Sequence, residues 1–304
     1  MNNITYLCTR IHNRQSTREV IIHFEFNLCV LTGYIKTQMN YNTPKETTME
    51  FAISGVYKSN LHLAKFSIIS VLGGAFIAFG GLLSIMVAGG IPGIGAANPG
   101  LVKFIAGSLF PIGLIMVSIT GADLFTSDCT AFTIPLLEKR ISFSKFIRFI
   151  LLSYLFNFIG TQLIAYVFSA NLGFFDKDPW QNYLHTYAGN KVNQDFLKVL
   201  VKGIGANWLV CLGMFMGYSA KDITGKCIGI WIPVMLFVTL GYEHSIANMF
   251  FIPAAIYSGA EITWGAFITG NLLPATLGNI LGGMILVGCV YWYLYTDKQK
   301  EINT

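Results

Sequence analysis

Histidine and hydroxyl side chains inside an apolar run are well suited to handle a proton or an anion, and this chain places them in two short stretches. One reads Gly121-Ala122-Asp123-Leu124-Phe125-Thr126-Ser127. The other reads Gly241-Tyr242-Glu243-His244-Ser245-Ile246-Ala247-Asn248. Each sets an acid two residues after a glycine, and each is followed by an Ile-Pro pair, Ile134-Pro135 and Ile252-Pro253. A charge within a membrane is expensive, so a lone intramembrane histidine such as His244 is a functional residue by default. It can exchange a proton, donate a hydrogen bond, or hold its own loop through backbone contacts. Thr126 can offer its hydroxyl to an anion or to His244, or cap the helix that follows. Asp123 and Glu243 could be mistaken for paired catalytic carboxylates. Their matching places favour another job, accepting backbone N–H groups freed where a helix breaks, because irregular backbone at membrane depth must be satisfied. Gly121 and Gly241 supply the backbone freedom at the breaks.

The elements that carry these stretches are apolar runs long enough to cross a bilayer. The chain has 304 residues, 54% hydrophobic and 12% charged, with a mean hydropathy of +0.57. A soluble domain carries roughly 25% charged residues, so the composition predicts an all-α integral membrane protein in contact with lipid. The formal charge of +5 does not point to nucleic acid, because the basic residues form no stripe with interleaved aromatics. The six cysteines show no Cys-x-x-Cys pair and no Cys/His metal spacing. They read as small hydrophobes, and no metal or cofactor is expected.

Six spans are predicted: near 66–87; from 102 to about 137, broken at 121–128; near 146–170; near 197–216; from 227 to 257, broken at 241–248; and near 272–295. Each unbroken one supplies the roughly 20 apolar residues a transmembrane helix needs. A Gly/Pro loop at 89–100 and a polar loop at 171–190 separate some of them. Lys139, Arg140, Lys145 and Arg148, then Lys221 and Lys226, then Lys298 and Lys300 fall on one side. The positive-inside rule makes that side, with both termini, cytoplasmic; Lys191, Lys198 and Lys202 are the exception on the other side. The halves match further: Asn157-Phe158-Ile159-Gly160 with Asn279-Ile280-Leu281-Gly282, and Gly74-Ala75 with Gly205-Ala206. Three spans per half make an inverted 3+3 repeat, and broken segments at matching places point to a transport site near the midplane. Glycines of the first and sixth spans read as packing positions. Residues 61–296 form the transmembrane channel domain, 1–60 an amino-terminal cytoplasmic segment and 297–304 a cytoplasmic tail. Within the first 38 residues, 20–35 is too short and, with His23 and Glu25, too polar to span, and no signal-peptide pattern is present. Residues 1–38 read as an extension that is disordered or not made, with an interfacial helix as the other reading.

Residues 121–127, Gly205-Ala206-Asn207-Trp208-Leu209-Val210-Cys211, 241–248 and Leu277-Gly278-Asn279 resemble the signatures of the formate/nitrite transporter family, in order and spacing, over about residues 50–296. The resemblance implies an aquaporin-like protomer, a homopentamer with one pore per protomer in the plasma membrane, and passage of small monovalent weak-acid anions. Gly-Ala-Asp-Leu-Phe-Thr-Ser looks closest to formate channels; nitrite channels more often carry Glu at the Asp123 position and Gly at the Ser127 position. Asp128 departs from the small or amide residue of the pattern. Position by position, the resemblance implies His244 at the pore centre facing Thr126, Lys191 in the outer vestibule as an anion attractor, and Asn207 on the pore wall. Phe110, Leu114, Leu124, Val210 and Phe237 would then form two apolar constrictions.

Physics favours a neutral permeant in such a pore. Stripping a bare anion of water in an apolar medium costs tens of kcal/mol in the Born limit. Protonating a carboxylate of pKa about 3.7 at neutral pH costs about 4–5 kcal/mol, at about 1.36 kcal/mol per unit. Formate is the expected permeant, with nitrite or hydrosulfide as the alternative, and halides lack this route. An aquaporin-type water channel would need paired Asn-Pro-Ala loops, and Asn98-Pro99-Gly100 is the only near match. His244-Ser245 lacks a triad, and no His-Glu-x-x-His occurs, so the chain does not read as an enzyme.

Overall fold

The structure is a computed structural model that describes residues 39–296; the expectations for 1–38 and 297–304 lie outside them. The described residues are helical and contain no extended strand. The polar lead-in at 40–60 forms helix α1, Pro44–Ser59. Its start is fixed by a capping box: the Thr43 hydroxyl accepts from the Glu46 N–H, and Glu46 reaches back to the Thr43 N–H at 3.0 Å.

Five segments are long and apolar enough to cross a membrane: Leu63–Gly89, Pro99–Thr120, Phe143–Leu172, Phe196–Ser219 and Trp264–Tyr295. The first is one helix, α2, of 27 residues. At about 1.5 Å per residue it exceeds the hydrocarbon thickness of about 30 Å. After the short α3, Pro92–Ala97, the second segment is two helices, α4 (Pro99–Leu109) and α5 (Ile112–Thr120), which meet at Phe110-Pro111. Then come α6 (Phe125–Ala131), α7 (Thr133–Leu137) and α8 (Phe143–Gln162), the last running on through a wide turn at Leu163–Val167. The segment expected as a polar loop at 171–190 carries a helix instead, α9 (Trp180–Val192). Next are α10 (Phe196–Ser219), α11 (Ile223–Thr239) and α12 (Ser245–Tyr257). Both α11 and α12 are apolar, and each by itself is shorter than a full crossing. The final segment joins α13 (Trp264–Ala266), α14 (Leu273–Leu281) and α15 (Val290–Tyr295) through wide-turn stretches at Phe267–Leu272 and Gly282–Cys289.

Small residues let two helix pairs approach closely, α2 on α8 and α10 on α14. A Cβ on Gly203 would come 2.8 Å from the Ala275 carbonyl oxygen; one on Gly160 would come 2.8 Å from the Ala75 nitrogen. At the centre lie two short helices that are buried along almost their whole length. All seven residues of α6 are buried, and so are the residues of α12 from Ser245 to Ala255. Each is fed by a break. Helices α5 and α11 stop at glycines in the left-handed region, Gly121 at φ 76° and Gly241 at φ 70°. A side chain there would be strained, so glycine is the residue that lets the chain turn out of the helix.

Candidate pore site

A helix that breaks inside a membrane leaves backbone groups that need partners. In both breaks one asparagine supplies them. Asn157 accepts from the Phe125 N–H at 2.8 Å and donates to the carbonyls of Ser70 (2.6 Å) and Asp123 (3.0 Å). Asn279 accepts from the Ser245 N–H at 2.8 Å and donates to the carbonyls of Gly203 (2.8 Å) and Glu243 (2.9 Å). These amides do the work that the sequence assigned to Asp123 and Glu243. An amide suits it better, because it both donates and accepts.

The two acids bind lysines instead. Asp123 accepts from the hydroxyls of Ser70 (2.9 Å) and Ser153 (2.7 Å), and Lys58 on α1 lies 2.7 Å away. The Lys58 ammonium also reaches Asp128 at 2.8 Å. Burial alone would lower Lys58, but the carboxyls of Asp123 and Asp128 hold it above its usual range. Glu243 receives Lys191 at 2.8 Å, Gln194 at 3.0 Å, Asn248 at 2.7 Å and Asn271 at 3.2 Å. Lys191, expected as a vestibule charge that attracts anions, is 6% exposed and its charge is matched by Glu243. Burial again opposes the charge, and Glu243 with Tyr187 holds Lys191 above its usual value. Its ammonium also sits 5.1 Å from the Tyr187 ring centre and 5.9 Å from that of Phe251, a favourable cation–π position.

His244 and Thr126 come from the two breaks and meet, Nε2 to Oγ1 at 3.0 Å. The other ring nitrogen, Nδ1, accepts from the Ala247 N–H at 3.0 Å. That bond requires Nδ1 unprotonated, so the network assigns the ring proton to Nε2. Nε2–H then donates to Thr126, and the Thr126 hydroxyl proton is a second donor at the same point. The Thr126 carbonyl is held by Asn207 Nδ2 at 3.0 Å and Cys211 Sγ at 3.3 Å. Asn207 spends its remaining amide hydrogen on the Asn279 carbonyl at 2.6 Å, so it braces both breaks.

Apolar rings close in on this point. Phe237 stacks near His244 with centroids 5.8 Å apart, and Phe110 meets Phe237 edge-on at 6.0 Å. Leu114, Leu124 and Val210 are buried as well. On the Lys191 side, a cavity of about 10 Å³ is lined by His244, Phe110, Phe237, Phe251, Tyr187 and Lys191 among others. That volume holds about one water. Among the described residues, no group of three or more His, Cys, Asp or Glu side chains forms a metal site. Sequence reasoning missed Lys58, Asn271, Phe251 and Tyr187 as parts of this assembly, and it named Asn248 at the end of the second stretch without a role for it. It noticed Asn157 and Asn279 as a repeat match without a role for them.

Comparison with known proteins agrees with this architecture. Residues 45–293 match the family model described as formate/nitrite transporter. The chain is 39% identical over 273 residues to a probable formate transporter of Methanothermobacter thermautotrophicus, covering 85% of this chain and 99% of that one. A solved structure titled "FNT family ion channel" superposes with a TM-score of 0.76 at 27% identity, over 83% of this chain and 99% of that chain. Another, titled "Pentameric formate channel with formate bound", gives a TM-score of 0.67 at 30% identity, over 77% and 97%. Transporters and channels, not enzymes, make up this group. With its broken helices, its apolar spans and a match across most of its length, the chain is a multi-pass integral membrane protein that belongs to the formate/nitrite transporter family.

Proposed function

We propose that the protein passes small monovalent weak-acid anions, formate first, through a pore centred on His244 and Thr126, as the neutral acid and with its proton. One observation carries this: two hydrogen-bond donors converge at a 3.0 Å contact where the two breaks meet, with the rings of Phe237 and Phe110 beside His244. Such a point offers hydrogen bonds and no full charge. It suits an acid that has left its charge behind, and the energies of desolvation and protonation rank the two routes the same way. The matched breaks, each with its glycine, acid, lysine and asparagine, support an inverted 3+3 repeat of six spans. The lysine and arginine distribution supports cytoplasmic termini in the plasma membrane. The pentameric relative supports a homopentamer.

The test is uptake of labelled formate into proteoliposomes across a pH gradient, with nitrite, hydrosulfide and chloride as competitors. The expected result is uptake driven by acid outside, reduced by the weak acids and untouched by chloride. His244→Ala is expected to lose tenfold or more, about 1.4 kcal/mol or above at the barrier. Equal inhibition by chloride, or uptake indifferent to pH, would sink the neutral-acid route. Inhibition by nitrite far exceeding self-competition by formate would transfer the assignment to nitrite.

A further inference from the structure

The two breaks share a glycine, a buried acid, a lysine on that acid and a bracing asparagine, but they differ in what else reaches the acid. Five residues after its acid, the second break carries Asn248, whose Nδ2 donates to Glu243 at 2.7 Å. Five residues after its acid, the first break carries Asp128. A charged carboxylate cannot donate. Asp128 and Asp123 nevertheless lie within hydrogen-bonding reach of each other, both wholly buried. Lys58 is their shared cation, at 2.8 Å and 2.7 Å. Two charged carboxylates on one ammonium would leave a net negative charge buried in the protein, and like charges at such range cannot both persist. Asp123 Oδ1 has the Lys58 ammonium at 2.7 Å, but Asp128 Oδ2 has no hydrogen-bond partner. A proton carried on Asp128 Oδ2 accounts for that orphaned, buried oxygen.

We propose that Asp128 is a proton-binding site: its carboxyl is held as the neutral acid and donates to Asp123, in the place where Asn248 donates to Glu243. The chemistry is one reversible step. The Asp128 carboxylate takes a proton from water, and its O–H bond breaks again when the site is deprotonated. Around it, among the described residues, the facing titratable groups are Asp123 on the break, Lys58 on α1, Cys211 and Tyr218 on α10, and Cys129 on its own helix. None is a second cation. With the proton bound, the cluster of Lys58, Asp123 and Asp128 is neutral. As pH rises and the proton leaves, it becomes −1, on the α1 side of the pore and two residues from Thr126. A unit charge added within about 10 Å at an effective dielectric of ~20 lowers the local anion population about tenfold. Transport is therefore expected to fall at alkaline pH beyond what the supply of neutral acid in bulk dictates, which rests on the proposed function, with the weak acid approaching as its anion before it takes its proton. The protonated carboxyl itself does not.

Two measurements test this on the full chain in lipid. Infrared spectra of the wild type are expected to show the carbonyl stretch of a buried carboxylic acid in acidic buffer. The band should vanish in alkaline buffer and be absent throughout in Asp128→Asn. No such band in the wild type, or a band that survives the substitution, overturns the proposal. Formate uptake by Asp128→Asn, which keeps the donor that Asn248 provides in the other break, is expected to show about tenfold less of the alkaline loss. Coincident pH profiles of the two proteins overturn the link to transport. If neither protein carries formate, the formate assignment fails and the infrared band alone decides the proton site.

Discussion

At the scale of single residues, His244 does two jobs that substitution can separate. Its Nδ1 caps the start of α12 and its Nε2 faces Thr126. His244→Ala removes both. Loss of the cap costs about 0.5–2 kcal/mol, read as a lower thermal midpoint, while loss of the donor lowers formate uptake. His244→Asn supplies a new capping oxygen, so its midpoint is expected to return to within about 0.5 kcal/mol of the wild type. A midpoint as low as that of the alanine variant would contradict the cap. The sequence exposed this histidine because an ionisable side chain in an apolar run stands out against its background. It did not expose Lys58, an ordinary lysine near the end of a polar helix. Its role comes from partners 65 and 70 residues away, at Asp123 and Asp128. Lys191 was visible, but its neutralisation by Glu243 was not, since no local pattern spans that separation.

At the scale of elements, α6 and α12 are held by their amides and ion pairs more than by their own turns. Asn157→Ala or Asn279→Ala strands a buried N–H and two carbonyls, at about 1–3 kcal/mol for a group left unsatisfied. Each variant is expected to unfold at markedly lower denaturant, followed by the fluorescence of the five tryptophans; a shift within error would remove the asparagines from this role. Lys191→Met leaves Glu243 buried without its partner, which costs about 3–5 kcal/mol. Adding Glu243→Gln is expected to recover most of that, because the stranded charge goes with it. A double variant no more stable than the single one would argue against the ion pair. The glycines and Ile-Pro pairs announced the breaks in the sequence, since such residues have few uses inside an apolar run. Which side chain would satisfy the broken backbone was not legible. Acid and amide are both polar, and only the close approach of α8 and α14 decides in favour of Asn157 and Asn279.

At the scale of the whole molecule, the outer face keeps apolar stripes. On α8, Leu151, Leu155 and Ile159 recur every four residues, all exposed in the single chain. This spacing makes one continuous ridge, suited to lipid or to a neighbouring copy. Native mass spectrometry from mild detergent is expected to give five chains per particle; a monomer would overturn the proposed pentamer. The all-helical class was legible from composition alone, and helix α9 was not, because its segment is polar and its order comes from packing against α12. The bond between His244 Nδ1 and the Ala247 amide has a further consequence for the whole membrane. A relay of bare protons along a water chain needs a ring that takes a proton on one nitrogen and releases it from the other. Here the second nitrogen is occupied, so the ring is a dead end and not a wire. On the proposed route, where a proton crosses only in the company of what it neutralises, a cell holding many copies of this protein would not short-circuit the gradient that drives its other work.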